Sequence, residues 1–488
     1  MKYYTSPLLF AGLLLLLLGV PHAANAQTDI RGVSMLSTAG GGPAYVRDTD
    51  ALFFNPANLW LDERGSRFVM TLGSVQAFGG GSLVQFSHYN DSFTQGNDLS
   101  KADMQSILND WMGPLDSGKI RKLGVSAEIV PIAMAFRGYG WGAGLGVRTR
   151  TYTQLGFSRG LFDLLLVGTD QDGSFPVNMD IRSVAMTEIS AGFSKLFPKQ
   201  RLAIGIAPKM VLGLNYARTS MDSYVELSDG SITHNFDYDI QLAGNFNQDI
   251  GDAVNFFESS GFLTDATPSD FSDPFSAIAG RGFGLDLGAT HEISKNLLVS
   301  ASLTDLGYVN WTKNADAVSP TGSTFQFDGL DLDLDQVNNE YDGDFGAYVE
   351  DYFSTLVEDA YDEVERTQGA FKTKLPTAFH AGGSWHALKG LFVVNAGTSV
   401  ALNQAAGNLS RKPSFHLGTE FHPGRRYSFP IRTGIRFGGD GALTAAFGFG
   451  IQTPVYDLSI GVAATPKTSL LGGGGRYMVG LSLVNFRI

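Results

Sequence analysis

Apolar and polar positions alternate with period two along most of this chain, in runs longer than a soluble sheet uses. In Trp141–Arg150 one face carries Trp141, Ala143, Leu145 and Val147; the other carries Gly142, Gly144 and Gly146, then Arg148 and Arg150. Phe415–His422 sets His416, Gly418, Glu420 and His422 against an apolar face, and Leu443–Gln452 sets Thr444, Gly448, Gly450 and Gln452 against Leu443, Phe447, Phe449 and Ile451. In Phe283–Thr290, Asp286 lies between Gly284 and Gly288. A soluble sandwich also alternates, but its strands usually span about 5–6 residues. Here many runs reach ten or more, and glycine holds positions where a wet face would show Lys, Glu or Thr. The pattern predicts an all-β fold: an antiparallel transmembrane barrel whose lumen is crowded by an internal plug.

Fourteen strands are predicted, at 67–89, 123–137, 141–157, 184–196, 201–218, 282–293, 297–311, 375–387, 391–402, 414–422, 429–437, 442–452, 456–463 and 476–488. Gly79–Gly81 is read as a kink or bulge inside the first strand, since a turn there would give an odd count. Short turns near 138–140, 198–200, 294–296, 388–390, 423–426 and 453–455 alternate with longer loops, apart from a tight connection at 438–441. Short periplasmic turns and long external loops are the expected asymmetry, with both termini in the periplasm.

Composition narrows the class further. The 488 residues include 60 Gly, 35 Phe and only 18 Pro, with no Cys, and mean hydropathy is +0.01. That excludes a disulfide scaffold and a helical membrane protein, which would show repeated runs of about 20 apolar residues. A hydrophobic fraction of 43% argues against a disordered chain. The net charge of -13 argues against nucleic-acid binding. Residues 1–26 read as a signal peptide, with Lys2, an apolar run Leu8–Val20, and Ala24-Asn25-Ala26 before a mature start at Gln27. An uncleaved anchor is the alternative, although thirteen apolar residues are short for a span. Residues 27–65 are expected to form the plug and 66–488 the barrel.

The acidity is local. Residues 314–371 hold fifteen acids and one base, Arg366, so the rest of the chain has 34 basic and 33 acidic residues. Phe345, Val349, Tyr352, Phe353, Leu356, Ala360 and Val364 recur at helical spacing, which predicts an amphipathic helix in an external acidic loop. Asp331, Asp333 and Asp335 begin like a calcium loop, but Gln336 stands where the sharp turn needs glycine; a solvated hairpin is the alternative.

Ahead of the first strand, Gly40–Leu59 contains Asp50-Ala51-Leu52-Phe53-Phe54-Asn55-Pro56-Ala57. This resembles the N-terminal segment of the FadL-type long-chain fatty-acid transporters, which have fourteen strands and a hatch that plugs the lumen. The resemblance implies a bacterial outer-membrane protein that binds or passes a hydrophobic small molecule such as a fatty acid, with Asp50, Phe53, Phe54, Asn55, Pro56 and Ala57 as hatch or substrate-binding candidates. Ser302–Gly307 with Trp311, and Leu375–His380, resemble the PorV-like Bacteroidota branch. That branch implies an alternative, a non-transporting adaptor anchoring secreted or surface proteins through its loops. Asn55-Pro56 has a plainer reading as a turn, and the two phenylalanines as packing.

Candidate chemistry is sparse. Arg148, Arg150, Arg432 and Arg436 share the expected lumen face with Glu188, Asp286 and Glu420. Charges inside a barrel are functional candidates, or pair with one another and with the hatch. His380 and His386 lie on one strand and His416 and His422 on another; six residues along a strand separate side chains by about 20 Å, too far for one metal centre. No Gly-x-Ser-x-Gly elbow is present, so neither enzyme activity nor a cofactor is expected. The expected partners are outer-membrane lipids, a hydrophobic ligand, and on the alternative reading a surface or secreted protein.

Overall fold

The computed structural model describes residues 32–488 apart from 62–65, 84–98, 116–117, 169–170, 229–230, 245–276, 321–323, 328–363, 425–426, 440 and 466–475. Its fourteen barrel strands are β1 Phe68–Gly81, β2 Arg121–Gly138, β3 Trp141–Phe157, β4 Met179–Phe197, β5 Leu202–Ser228, β6 Gly280–Ser294, β7 Leu297–Trp311, β8 in two pieces (Phe371–Lys374 and Ala378–Ala387), β9 Phe392–Ala401, β10 Ser414–Phe421, β11 Ile431–Gly438, β12 Gly441–Gln452, β13 Tyr456–Thr465 and β14 Arg476–Arg487. Each pairs antiparallel with the next, and β14 pairs back onto β1, Val69 facing Arg487 and Gly80 facing Arg476, which closes the barrel. Closure leaves no edge strand, as a membrane sheet requires.

The alternation has the predicted sense. Along β3, Leu145 is 52% exposed while Gly144 and Gly146 are buried. Val125, Phe193, Ile206, Phe283, Phe415, Phe447 and Val462 likewise face outward. Such a belt is costly in water and neutral in hydrocarbon, so the chain spans a membrane through its strands. No helix among the described residues is long and apolar enough to cross one.

Most strand ends fall within a few residues of expectation, and β3 and β7 match it. Gly79–Gly81 pairs with Leu123–Val125 inside β1, which then ends at Gly81 rather than at 89. Met179 starts β4 five residues early, and β5 runs on to Ser228, ten residues beyond expectation, to pair with Ser231–Ala243. That extension carries alternating polar residues and projects on the long-loop side, where water rather than lipid receives it. The ends of the acidic insertion join it: Asp316–Pro320 and Thr324–Phe327 pair with Ser231–Ala243, and Val364–Gln368 pairs with Asp316–Pro320. Val364 therefore begins a strand rather than closing a helical stripe. The remainder of the expected helix, the Asp331–Asp335 run and the signal peptide lie outside the described residues.

Two helices were not expected, α3 (Lys101–Met112) and α4 (Arg159–Leu166), numbered after two short helices of the N-terminal segment, α1 (Val33–Ser37) and α2 (Ala51–Phe54). Ser100 caps α3: its hydroxyl accepts from Asp103 N at 3.3 Å, while Ser100 N donates to the Asp103 carboxylate at 3.0 Å. Leu108 and Met112 of α3 bury against Leu83 and Val167 beside the long-loop end.

Candidate functional site

Residues 33–61 sit inside the barrel, in its short-turn half, and nearly every apolar side chain there is buried, including Leu36, Leu52, Phe53, Phe54 and Leu59. Lumen-facing glycines make that possible. A β-carbon on Gly142 would collide with the Leu59 backbone, on Gly205 with Pro56 and Ala57, on Gly288 with Asn55, on Gly434 with Thr38, and on Gly448 with Ser37. The glycine face of the strands is thus the surface on which this segment is seated.

Asn55 and Asn58 pin it. Asn55 Nδ2 donates to Pro43 O at 2.7 Å and to Thr290 Oγ1 on β6 at 3.2 Å, and its Oδ1 accepts from Ala57 N at 3.2 Å. Asn58 Nδ2 donates to Pro43 O and Val46 O, each at 2.8 Å, while Thr290 Oγ1 donates to Asn58 Oδ1 at 2.5 Å. Pro56 follows the capping Asn55 at the start of the short 3-10 turn Pro56–Trp60. These contacts give Asn55, Pro56 and Ala57 a structural part. The Phe53 ring lies 4.9 Å beneath the Arg148 guanidinium carbon, and the Phe54 ring centroid is 4.4 Å from that of His380. Replacing Asn55 by Ala takes the acceptor from the buried Ala57 N–H and one of two donors from the Pro43 carbonyl; we expect a loss of about 1–3 kcal/mol, read as a lower temperature for the band shift of the folded barrel on electrophoresis.

Asp48 ties the segment to the barrel seam. It pairs with Arg137 of β2 at 2.6 Å and with Arg487 of β14, which also holds Asp457. Burial alone would raise the Asp48 carboxyl; the Arg487 and Arg137 guanidiniums outweigh it and hold the group well below the usual carboxylate range. Asp50 is the opposite case: burial, then the Asp48 and Glu128 charges, push it up to about 7 against the pull of Arg432 and Arg487. A raised carboxyl is penalised in its charged form, so Asp50 costs nothing below its unfolded value of 3.8 and progressively more as pH rises to about 7. Subtracting the melting temperatures of Asp50→Asn from those of the wild type should give a difference that falls across that window and is flat above it. A flat difference throughout would contradict this environment for Asp50.

Above the segment runs a belt of charge across six neighbouring strands. Arg148 (β3) binds Glu188 (β4) through Nη2 at 2.5 Å and Nε at 3.1 Å. Arg150 (β3) is held by Glu188 and, at 3.1 Å, by Asp305 (β7). Lys209 (β5) lies 2.6 Å from Asp305 and 2.8 Å from Asp286 (β6). Glu128 (β2) reaches Arg148 only at 3.5 Å. Asp305 adopts φ 59°, and its N–H donates to Asp286 at 2.6 Å, at a bulge between β6 and β7. A second group joins Tyr45 to Glu420 and Arg432, with Arg432 Nε 2.8 Å from Glu420; burial and the Glu420 charge raise the Tyr45 hydroxyl. Arg436 donates to Ser414 at 2.9 Å.

All seven expected lumen charges, Arg148, Arg150, Glu188, Asp286, Glu420, Arg432 and Arg436, are buried or nearly so on the inner face. They form two or more separate groups rather than one. Lys209, Asp305 and Glu128 were missed. Lys209 was within reach, since Ala203, Gly205, Ala207, Lys209 and Val211 share the buried face of β5. Asp305 was not, because the bulge breaks the alternation.

Between the segment and the long-loop end lies a small, partly open cavity. Leu36 forms its floor, Phe78, Tyr152, Val184 and Met186 its walls, and Ala406–Gly407 its roof. The roof belongs to the 402–413 loop, which is folded into the lumen by Asn403 Nδ2 donating to Leu375 O at 2.7 Å and Asn408 Nδ2 donating to Thr377 O at 3.0 Å. Gln76 and Glu128 line both this cavity and a narrow crevice, too tight for a water molecule, beside Gly32, Asp50 and Phe53.

A sequence model for the family of unknown function DUF5723 matches residues 60–456. The chain belongs to that family. No curated protein matches this DUF5723 chain. Among solved structures, a Pseudomonas aeruginosa FadL homologue is similar at 11% identity and TM-score 0.48, covering 95% of this chain and 100% of its own. The Ralstonia pickettii toluene transporter TbuX is similar at 11% identity and TM-score 0.45, covering 94% and 99%. The P. putida toluene transporter TodX is similar at 11% identity and TM-score 0.44, covering 94% and 97%.

Proposed function

We propose that this chain is a bacterial outer-membrane barrel that takes an apolar small molecule from the long-loop side into the cavity above an N-terminal hatch. The observation that carries this reading is the cavity itself, walled by Phe78, Tyr152, Val184 and Met186 and roofed by an in-folded loop. A largely apolar lining beneath the external loops, inside a wall with a lipid-facing belt, suits a molecule with an apolar body. On this reading the Asn55–Asn58 pins and the Asp48 clasp hold the hatch, Phe53 and Phe54 pack it, and ligand passage requires part of it to shift.

Ser126 is buried on the inner face and lines the cavity, whereas Val125 is 49% exposed on the outer face. Ser126→Trp should cut uptake of radiolabelled dodecane by cells at least about tenfold by filling the site, while Val125→Trp leaves it unchanged. Uptake that survives Ser126→Trp in a correctly inserted barrel would remove the cavity from the function, and would be the outcome expected of a barrel that serves only as an adaptor for surface proteins.

A further inference from the structure

We propose that the molecule received in this cavity carries a hydrogen-bond-donating or cationic head, such as an amine, on its apolar body, rather than a carboxylate. The inference rests on the binding reading above and specifies its ligand. The polar end of the cavity is formed by Gln76, Glu128 and Arg150. Of the two charged groups, the cation is already neutralised. Arg150 is held by Glu188 on one side and Asp305 on the other, with its Nη2 also 3.8 Å from Met186 Sδ; its Nε makes no hydrogen bond but is buried, out of reach of a molecule in the open space. Among the described residues Glu128 makes one ion pair within 4 Å, the 3.5 Å contact to Arg148, whose guanidinium is committed to Glu188, while Arg150 opposite it on β3 attracts it from farther off.

Counting the belt among the described residues gives the same sign. Arg148, Arg150 and Lys209 are three cations; Glu128, Glu188, Asp286 and Asp305 are four carboxylates. The surplus negative charge is the one that faces the cavity. The other nearby cations do not reverse the balance: Lys122 and Arg182 both close on Asp180, at 2.6 and 2.8 Å, and neither lines the cavity. A carboxylate head would therefore meet like charge with no free cation to receive it, whereas an ammonium or hydroxyl would complete the coordination of Glu128.

The test uses the full-length barrel in nanodiscs of zwitterionic lipid with three radiolabelled probes: dodecylamine, dodecanoate and dodecane. Wild-type protein should bind dodecylamine at least about tenfold more tightly than dodecanoate, equivalent to about 1.4 kcal/mol. Glu128→Gln should erase most of that ratio, and Gln76→Glu, which adds a second carboxylate at the same end, should enlarge it. Dodecanoate binding as tightly as dodecylamine in the wild type, or a ratio indifferent to both substitutions, would overturn the inference while leaving the binding reading intact. If dodecane, which has no head group, fails to bind the wild type at all, the binding reading itself falls and takes the inference with it.

Discussion

Lys209→Met should destabilise the folded barrel by about 3–5 kcal/mol, the cost of breaking a buried ion pair by removing one partner. Lys209 is fully buried between Asp286 at 2.8 Å and Asp305 at 2.6 Å, with Glu188 at 3.7 Å. Methionine keeps the apolar stem but removes the cation set between Asp286 and Asp305, leaving Asp305 chiefly to Arg150 in a site where solvent cannot screen the two carboxylates. Urea unfolding of the barrel in detergent reads the loss. Adding Asp286→Asn to Lys209→Met removes one of the stranded charges and should recover a substantial part of it, a coupling that a double-mutant cycle isolates. Additive losses would mean that the two side chains are not one unit.

The second large effect is steric. Gly205→Val places a β-carbon into the Pro56–Ala57 backbone, and backbone cannot turn aside as a flexible side chain can. Overpacking of this kind typically costs about 1–3 kcal/mol, and here displacement of residues 56–60 relieves it most directly. The variant should insert and keep its strands, yet show raised conductance in planar bilayers compared with wild type. Ile204→Ala, one residue away on the outward face where Ile204 is 49% exposed, should not. A Gly205→Val barrel with wild-type conductance would mean that the N-terminal segment is not what fills the lumen.

These effects mark where the structure was legible in the sequence. Period-two alternation located fourteen strands because lipid outside and a packed segment inside impose opposite demands on successive residues. Glycine at 142, 288 and 448 signalled a crowded lumen before its occupant was visible. The signal failed where that two-sided constraint ends. Beyond the membrane β5 continues to Ser228 in water, and the helices α3 and α4 pack on each other above the strands. Within the wall, the β6–β7 bulge turned Thr304 and Asp305 both inward and hid Asp305, which two cations of the network share, from an alternation count. The cavity was not legible at all, because its roof is the 402–413 loop, whose inward fold is set by asparagine hydrogen bonds to the Leu375 and Thr377 carbonyls of the break in β8. Asn55-Pro56 was legible as a motif, and its geometry is that of a pin between the segment and β6.

The most direct test of the central claim is a crystal structure of the purified barrel soaked with 1-bromododecane, read through the anomalous signal of bromine. The account predicts a peak inside the cavity bounded by Leu36, Phe78, Tyr152 and Met186, above the seated N-terminal segment. Bromine found only along the outward belt, with the cavity empty, would contradict it.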